Sequence, residues 1–202
     1  MEEKNSRSSQ KKAEKRQMIL EAACRIFSEK GYHNARVEEI ALEAGVGKGT
    51  VYEYFPSKKY LFQQVVDMHY DDLYKGMNDY LGKKRGDLKE NFRYLLRNHV
   101  RICQKNRELT FFILRECAVM DEDLRVWFAE KQKKREEATR KQITRMLQRY
   151  QIEQVNEEAF SIQLSGVLMA LQFSIVVGSY QGDDEQIIES LSEMLARGIM
   201  LP

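Results

Sequence analysis

Proline is nearly absent. The 202 residues hold only Pro56 and Pro202, so residues 57–201 lack the residue that breaks helices most reliably. Strand signals are missing as well, because no run alternates polar and apolar residues over a strand's length and no Asn-Gly or Asp-Gly pair separates apolar segments. Cysteine is scarce: Cys24, Cys103 and Cys117 are far apart, odd in number and without Cys-x-x-Cys spacing, as expected of small apolar groups in a reducing compartment. His33, His69 and His99 stand apart from one another and from the cysteines, so neither a metal site nor a nucleophile-base pair has support. No catalytic residue and no cofactor is therefore expected. The longest apolar zone, residues 164–177, contains Ser165, Gln172 and Ser174 and falls short of the ~20 residues of a membrane span. The N-terminus has no apolar leader core. These absences leave an all-α, cytoplasmic chain with no membrane segment as the expectation.

Charge is distributed unevenly. Residues 1–60 carry a balance of +3, residues 61–150 of +6 and residues 151–202 of −7, within a net charge of +2. The front is the most concentrated, with Lys4, Arg7, Lys11, Lys12, Lys15 and Arg16 against Glu14 over residues 4–16. Such an arm is attracted to a polyanion such as nucleic acid, although a Lys/Ser-rich terminus is more often a solvated tail.

Helical periodicity then runs through the chain. Met18, Ile19, Ala22, Ala23, Ile26 and Phe27 mark a first helix that ends near Lys30, with Gly31 as its left-handed C′ residue. Val37, Ile40, Ala41 and Ala44 mark a short second helix, which Gly45 breaks. A third follows at once with Gly47 at its N-cap. Val51, Tyr52 and Phe55 form its inward side, and Lys48, Thr50, Glu53 and Tyr54 face out. A fourth helix spans residues 58–81 and is closed by Gly82-Lys83-Lys84-Arg85-Gly86. Further helices are expected over 88–105, 107–119 and 122–150, followed by two apolar helices joined by a turn at residues 178–184 as an antiparallel hairpin. The first of these two is apolar on more than one face, so it needs neighbours on two sides. Two such hairpins across a two-fold axis make a four-helix bundle, with Leu164, Leu168, Leu171, Ile175, Leu191 and Leu195 at the interface and Gly166 and Ala170 admitting close approach.

Residues 36–55 form a short helix, a Gly-containing turn and a second short helix, the arrangement by which a helix-turn-helix inserts its second member into the major groove. The outward set on that helix combines a cation, a hydroxyl, an acid and an aromatic ring, and Gly49 lets backbone approach a ligand closely. Gly45-Val46-Gly47-Lys48-Gly49-Thr50 is not a phosphate loop, since Leu42 stands where the first glycine is required and Gly49 where the Ser/Thr is required. It is not a dinucleotide fingerprint either, because it follows a helix rather than a strand.

Gly31-Tyr32, Val37-Glu38-Glu39-Ile40-Ala41, Ala44-Gly45-Val46-Gly47-Lys48-Gly49-Thr50-Val51-Tyr52 and Tyr54-Phe55-Pro56-Ser57-Lys58 resemble the N-terminal signature of TetR/AcrR-family transcriptional regulators. The resemblance covers about 45 residues. It implies an effector-controlled homodimer, commonly a repressor, on a near-palindromic double-stranded operator. Carried over residue by residue, the DNA contacts are Arg36, Val37, Gly47, Lys48, Gly49, Thr50, Tyr52, Glu53, Tyr54 and Lys58, with Tyr54 and Lys58 as phosphate anchors. The chain departs from the family pattern at Ala35 and Arg36, where hydroxyl residues are usual, and at Gly47, where Ser is usual. The implied layout is a basic flexible arm (1–16), a helix-turn-helix domain (17–57), a connecting helix (58–82) and an effector and dimerisation domain (83–202).

For the effector, an apolar pocket is expected from Leu95, His99, Phe111, Phe112, Leu114, Trp127, Phe128, Met169 and Phe173. Aromatic and Met residues at helical spacing are more often plain core, and any one of these residues taken alone is read that way first. Glu116 would counter a lipophilic cation; Arg115 with Lys131, Lys134, Arg135 and Lys141 would instead receive the phosphates of an acyl-CoA, the favoured class. A ligand-independent or partner-controlled DNA-binding protein of the same build is the alternative.

Overall fold

No glycine or proline occurs before Gly31, and the segment is rich in Ala, Glu, Lys, Arg and Gln, so helix formation continues to the N-terminus. In the computed structural model α1 spans Glu2–Asn34 with a break at Gly31. The stretch expected as a flexible arm thus supplies nearly half of this helix, residues 2–16. The structure describes residues 2–81, 86–117, 120–179 and 184–200, with side chains of 9–74, 86–116, 120–179 and 184–198. The expected closing segment of the fourth helix at 82–85, the end of the sixth at 118–119 and most of the turn at 178–184 lie outside the described residues.

The helices are α1, α2 (Val37–Glu43), α3 (Lys48–Tyr54), α4 (Lys58–Leu81), α5 (Leu88–Lys105), α6 (Arg107–Cys117), α7 (Glu122–Arg149), α8 (Glu157–Val177) and α9 (Asp184–Met200), with no strand among the described residues. Side-chain caps set several starts. Asp87 accepts from the Glu90 amide at 2.8 Å, Asp121 from Leu124 at 2.8 Å and Asn156 from Ala159 at 3.0 Å, each satisfying an amide that has no partner within the helix.

The chain divides into two compact units. The first comprises Met1–Tyr70 with Phe111–Ala118, the second Asp71–Thr110 with Val119–Pro202. The division falls inside α4 and α6, so each of these helices contributes residues to both.

The first unit is built on an aromatic cluster. Phe27 of α1 stacks on Phe112 of α6 at 6.0 Å, and Phe62 of α4 meets both rings edge-on at 5.8 Å. Tyr32 closes the cluster 4.8 Å from Phe62. Phe27, Phe62 and Phe112 are completely buried, and edge-to-face aromatic pairs add about 0.5–1.5 kcal/mol beyond the area they bury. Gly31 turns the chain at φ 77°, ψ 164°. That is the extended glycine region, not the left-handed helical one expected of a C′ residue.

In the second unit α5 packs against α8 and α9, and α7 against α8. Ion pairs tie α5 to α9: Lys89 reaches Glu189 at 2.7 Å and Glu193 at 2.5 Å, Arg93 reaches Glu189 at 2.6 Å, and Arg97 reaches Glu185 at 2.5 Å. These arginines and lysines hold the three carboxyls below their ordinary pKa. Here the acidic tail is spent on the basic fifth helix. Antiparallel α9 brings Gly198 against Gln163 of α8.

Candidate nucleic-acid interface

α2 starts at Arg36, whose amide donates to the Glu39 carboxylate at 3.2 Å. The reciprocal half of a capping box is missing because an arginine side chain has no acceptor. α2 ends at Ala44, and Gly45 follows at φ 65°, the left-handed turn expected from the sequence. Gly47 occupies the N-cap of α3 in an extended conformation, also as expected.

Val51 and Phe55 are buried and seat α3 on its own unit. Gly47, Lys48, Gly49, Tyr52 and Glu53 are exposed, and Thr50 and Tyr54 are half-buried. Tyr52, expected on the inward side, is 42% exposed and lies beneath the Lys48 ammonium at 5.8 Å from its ring centre. The reason is helical register: Tyr52 follows buried Val51 by one residue, about 100° around the helix, and falls on the face of Lys48 at i−4. The Lys48 ammonium also pairs with Glu38 of α2 at 2.5 Å, which raises the lysine pKa and lowers that of the glutamate.

Two expected contacts are placed differently. Val37 is 6% exposed and its side chain belongs to the core, so only its backbone amide remains for a ligand at the start of α2. Lys58 folds inward: its ammonium donates to the carbonyls of His33 at 3.0 Å and Ala35 at 2.9 Å and lies 4.8 Å from the Tyr32 ring centre. Burial lowers its pKa. Two of its three donors thus brace the corner between α1 and α2, a role the sequence does not announce because the carbonyls belong to backbone 23 and 25 residues earlier. Arg36 is exposed at the opening of α2.

The expected effector residues do not gather in one unit. Phe111, Phe112, Leu114, Arg115 and Glu116 belong to the first; Leu95, His99, Trp127, Phe128, Met169 and Phe173 belong to the second. Phe112 is core and Phe111 is 49% exposed. Glu116 is 6% exposed, lies 3.5 Å from the Arg115 guanidinium, and its Oε1 stands 3.0 Å from where a side chain at Gly31 would begin. Leu95 and His99 are buried, Trp127 and Phe128 half-buried, while Met169 and Phe173 are 62% and 57% exposed. His99 Nε2 lies 3.0 Å from the Leu168 carbonyl and 3.6 Å from Cys103 Sγ; a carbonyl only accepts, so Nε2 carries the proton. Burial pushes this imidazole down to about 4. On α7, Lys131 lies over Trp127 at 5.8 Å and Arg135 over Tyr74 at 6.0 Å, whereas Lys134 and Lys141 are exposed.

The expected dimer residues are also repositioned. Leu164, Leu171, Ile175 and Leu195 are 0–7% exposed within a single chain, and Leu168 and Leu191 are half-buried. The open apolar side of α8 is instead Ile162, Met169, Phe173 and Val177, with Gly166 and Ala170 between them, and Met194 is exposed on α9. Both faces of α8 are apolar, so periodicity could not decide which one lies inside. At 21 residues α8 is long and apolar enough to cross a membrane by length and composition, more than the sequence reading allowed, and its buried face packs on α5 and α7.

An exposed short helix held after a Gly turn, on an all-helical scaffold of two units, defines a helix-turn-helix protein. Residues 19–65 match the family described as "Bacterial regulatory proteins, tetR family". It is 41% identical over 68 residues to the HTH-type transcriptional activator FasR of Mycolicibacterium smegmatis, covering 34% of this chain and 31% of that one. It is 31% identical over 117 residues to the HTH-type transcriptional regulator AcrR of Shigella flexneri, covering 56% and 54%. The chain spans about half or less of the length of these curated relatives. Over nearly its whole length the fold matches the crystal structure of the transcriptional regulator FadR from Bacillus subtilis in complex with stearoyl-CoA, with TM-score 0.73 at 22% identity, covering 90% and 98%.

Proposed function

We propose that this chain is a homodimeric DNA-binding transcriptional regulator, a repressor released from a palindromic operator by a small hydrophobic effector of the acyl-CoA class. The observation that carries the DNA-binding reading is the presentation of α3. Gly45 turns the chain, Val51 and Phe55 seat the helix, and Lys48, Gly49, Tyr52 and Glu53 stand exposed with Thr50 beside them. A major groove admits such a helix, and its side chains suit base edges and phosphates. The apolar stripe Ile162, Met169, Phe173 and Val177 supports self-association through α8, because a surface of that kind gains free energy when covered.

The effector class rests on two observations. Glu116, the counter-charge a lipophilic cation would need, already has Arg115 beside it and lies buried against Gly31. The fold is shared with a regulator whose structure holds stearoyl-CoA. Repression is the direction in which ligand-driven release is read out, although one relative is named an activator.

The test is selection of bound sites from random duplexes, followed by addition of long-chain acyl-CoAs or lipophilic cations. Enrichment of a near-palindrome and its release by acyl-CoA supports the reading. Release by cations alone overturns the effector class, and release by neither favours a ligand-independent DNA-binding protein. Transcription from a template carrying the selected site decides the sign.

A further inference from the structure

The lysines at the front of the chain are not used by the helix-turn-helix, and the structure places them on a helix beside it. Lys11, Lys12 and Lys15 are exposed on α1, and together with Glu14, Met18 and Tyr54 of α3 they line one open depression. Arg16 holds this part of α1 against the end of α3, with its guanidinium 5.2 Å from the Phe55 ring centre and donating to Gln64 of α4.

Within the same unit, several cations on and around the helix-turn-helix already have acceptors. Lys48 has Glu38 at 2.5 Å, Lys30 has Glu39 at 2.7 Å, Arg25 has Glu43 at 2.7 Å, and Lys58 has two backbone carbonyls. None of the described ion pairs engages Lys11, Lys12 or Lys15, and Glu14 is the sole acid in their depression. Concentrated uncompensated charge next to the last turn of α3 therefore lies on α1. Like charges at i, i+3 and i, i+4 repel, and neutralisation by a polyanion relieves that repulsion.

We propose that Lys11, Lys12 and Lys15 form a second DNA-contact surface that grips the phosphate backbone flanking the site faced by α3. This rests on the DNA-binding reading of α3 and divides the labour. The α1 lysines supply sequence-independent affinity and salt dependence, and α3 supplies sequence preference. Tyr54, half-buried in the same depression, brings a phenolic donor between the two surfaces.

The experiment measures binding of the full chain to its selected duplex and to a random-sequence duplex across a salt titration. The Lys11→Ala/Lys12→Ala/Lys15→Ala variant is expected to lose at least about tenfold in affinity for both duplexes. The slope of log affinity against log salt should fall by roughly 0.9 per lysine that had neutralised a phosphate, with the preference ratio unchanged. Glu14→Gln is expected to tighten both duplexes, a gain that a merely structural helix would not produce. An unchanged affinity and slope in the triple variant, with preference still lost in Thr50→Ala, overturns this inference and leaves the α3 reading standing. Failure of the wild-type chain to bind any duplex overturns both. Loss of the preference ratio in the triple variant, with helicity intact by circular dichroism, shows that α1 reads sequence and overturns the division.

Discussion

The Lys58 ammonium donates to the Ala35 carbonyl at 2.9 Å and thereby fastens the start of α4 to the corner that orients α2. His33 shares the same ammonium at 3.0 Å. Lys58→Met removes both bonds, and hydrogen bonds to charged groups contribute about 1.5–3 kcal/mol each before water recovers part of the loss. Chemical unfolding should show a destabilisation of about 1–3 kcal/mol, and DNA affinity should fall on all sequences alike. A variant with unchanged stability and a smaller salt slope would instead make Lys58 a pure phosphate anchor.

Gly31→Ala should be among the costlier glycine substitutions, since this turn is buried. Its φ of 77° with ψ of 164° is essentially restricted to glycine, and a Cβ would meet Glu116 Oε1 at 3.0 Å. The expected loss is about 1–3 kcal/mol. Adding Glu116→Ala relieves the contact but not the backbone, so the double variant should recover only part of the loss in thermal unfolding. Full recovery would show that the contact alone carries the cost.

Acid should weaken the second unit in two steps. The folded pKa of His99 is about 4 against 6.5 unfolded, so between these values the unfolded chain binds the extra proton. Stability therefore falls as pH drops through that window, by about 3 kcal/mol in all. Glu185, Glu189 and Glu193, whose pKa values are lowered by their basic partners, lose their contribution only below the ordinary carboxylate range. Urea unfolding of His99→Gln between pH 7 and 4.5 should show a flatter dependence. An unchanged dependence would place the acid sensitivity elsewhere.

Self-association should respond to the open face of α8 and not to the residues inside. Ile162→Glu with Phe173→Lys should yield a folded monomer by sedimentation. Leu164→Glu or Leu195→Glu should unfold the chain, since either charge would enter a core where these side chains are 0% and 2% exposed. A folded dimer in the first variant contradicts the placement.

Helix order and most helix ends were legible in the sequence because proline was missing and the local signals agreed. Gly45, Gly47 and Gly178 stand where the chain starts or stops a helix. What periodicity could not supply was the choice between two equally apolar sides of α8, which moved the exposed stripe from Leu164 and Leu171 to Ile162 and Met169. It also gave no sign that Lys58 would turn inward, because its acceptors are carbonyls brought near only by the fold. On α3 the exposed set was readable except at Tyr52, an aromatic whose apolar body suggested burial and which the register of Val51 places outside. Candidate effector residues were chosen for being aromatic or large, and that composition does not separate the packed ring of Phe112 from the exposed rings of Phe111 and Phe173.

The central claim is that α3 reads duplex DNA, and site selection from a random pool tests it most directly. The wild-type chain is predicted to enrich a near-palindrome whose half-site centres lie about 34–36 Å apart or somewhat more, while Thr50→Ala and Lys48→Ala change the preferred bases. Recovery of no sequence above background by the folded wild-type chain, or the same consensus at the same affinity from both variants, would contradict it.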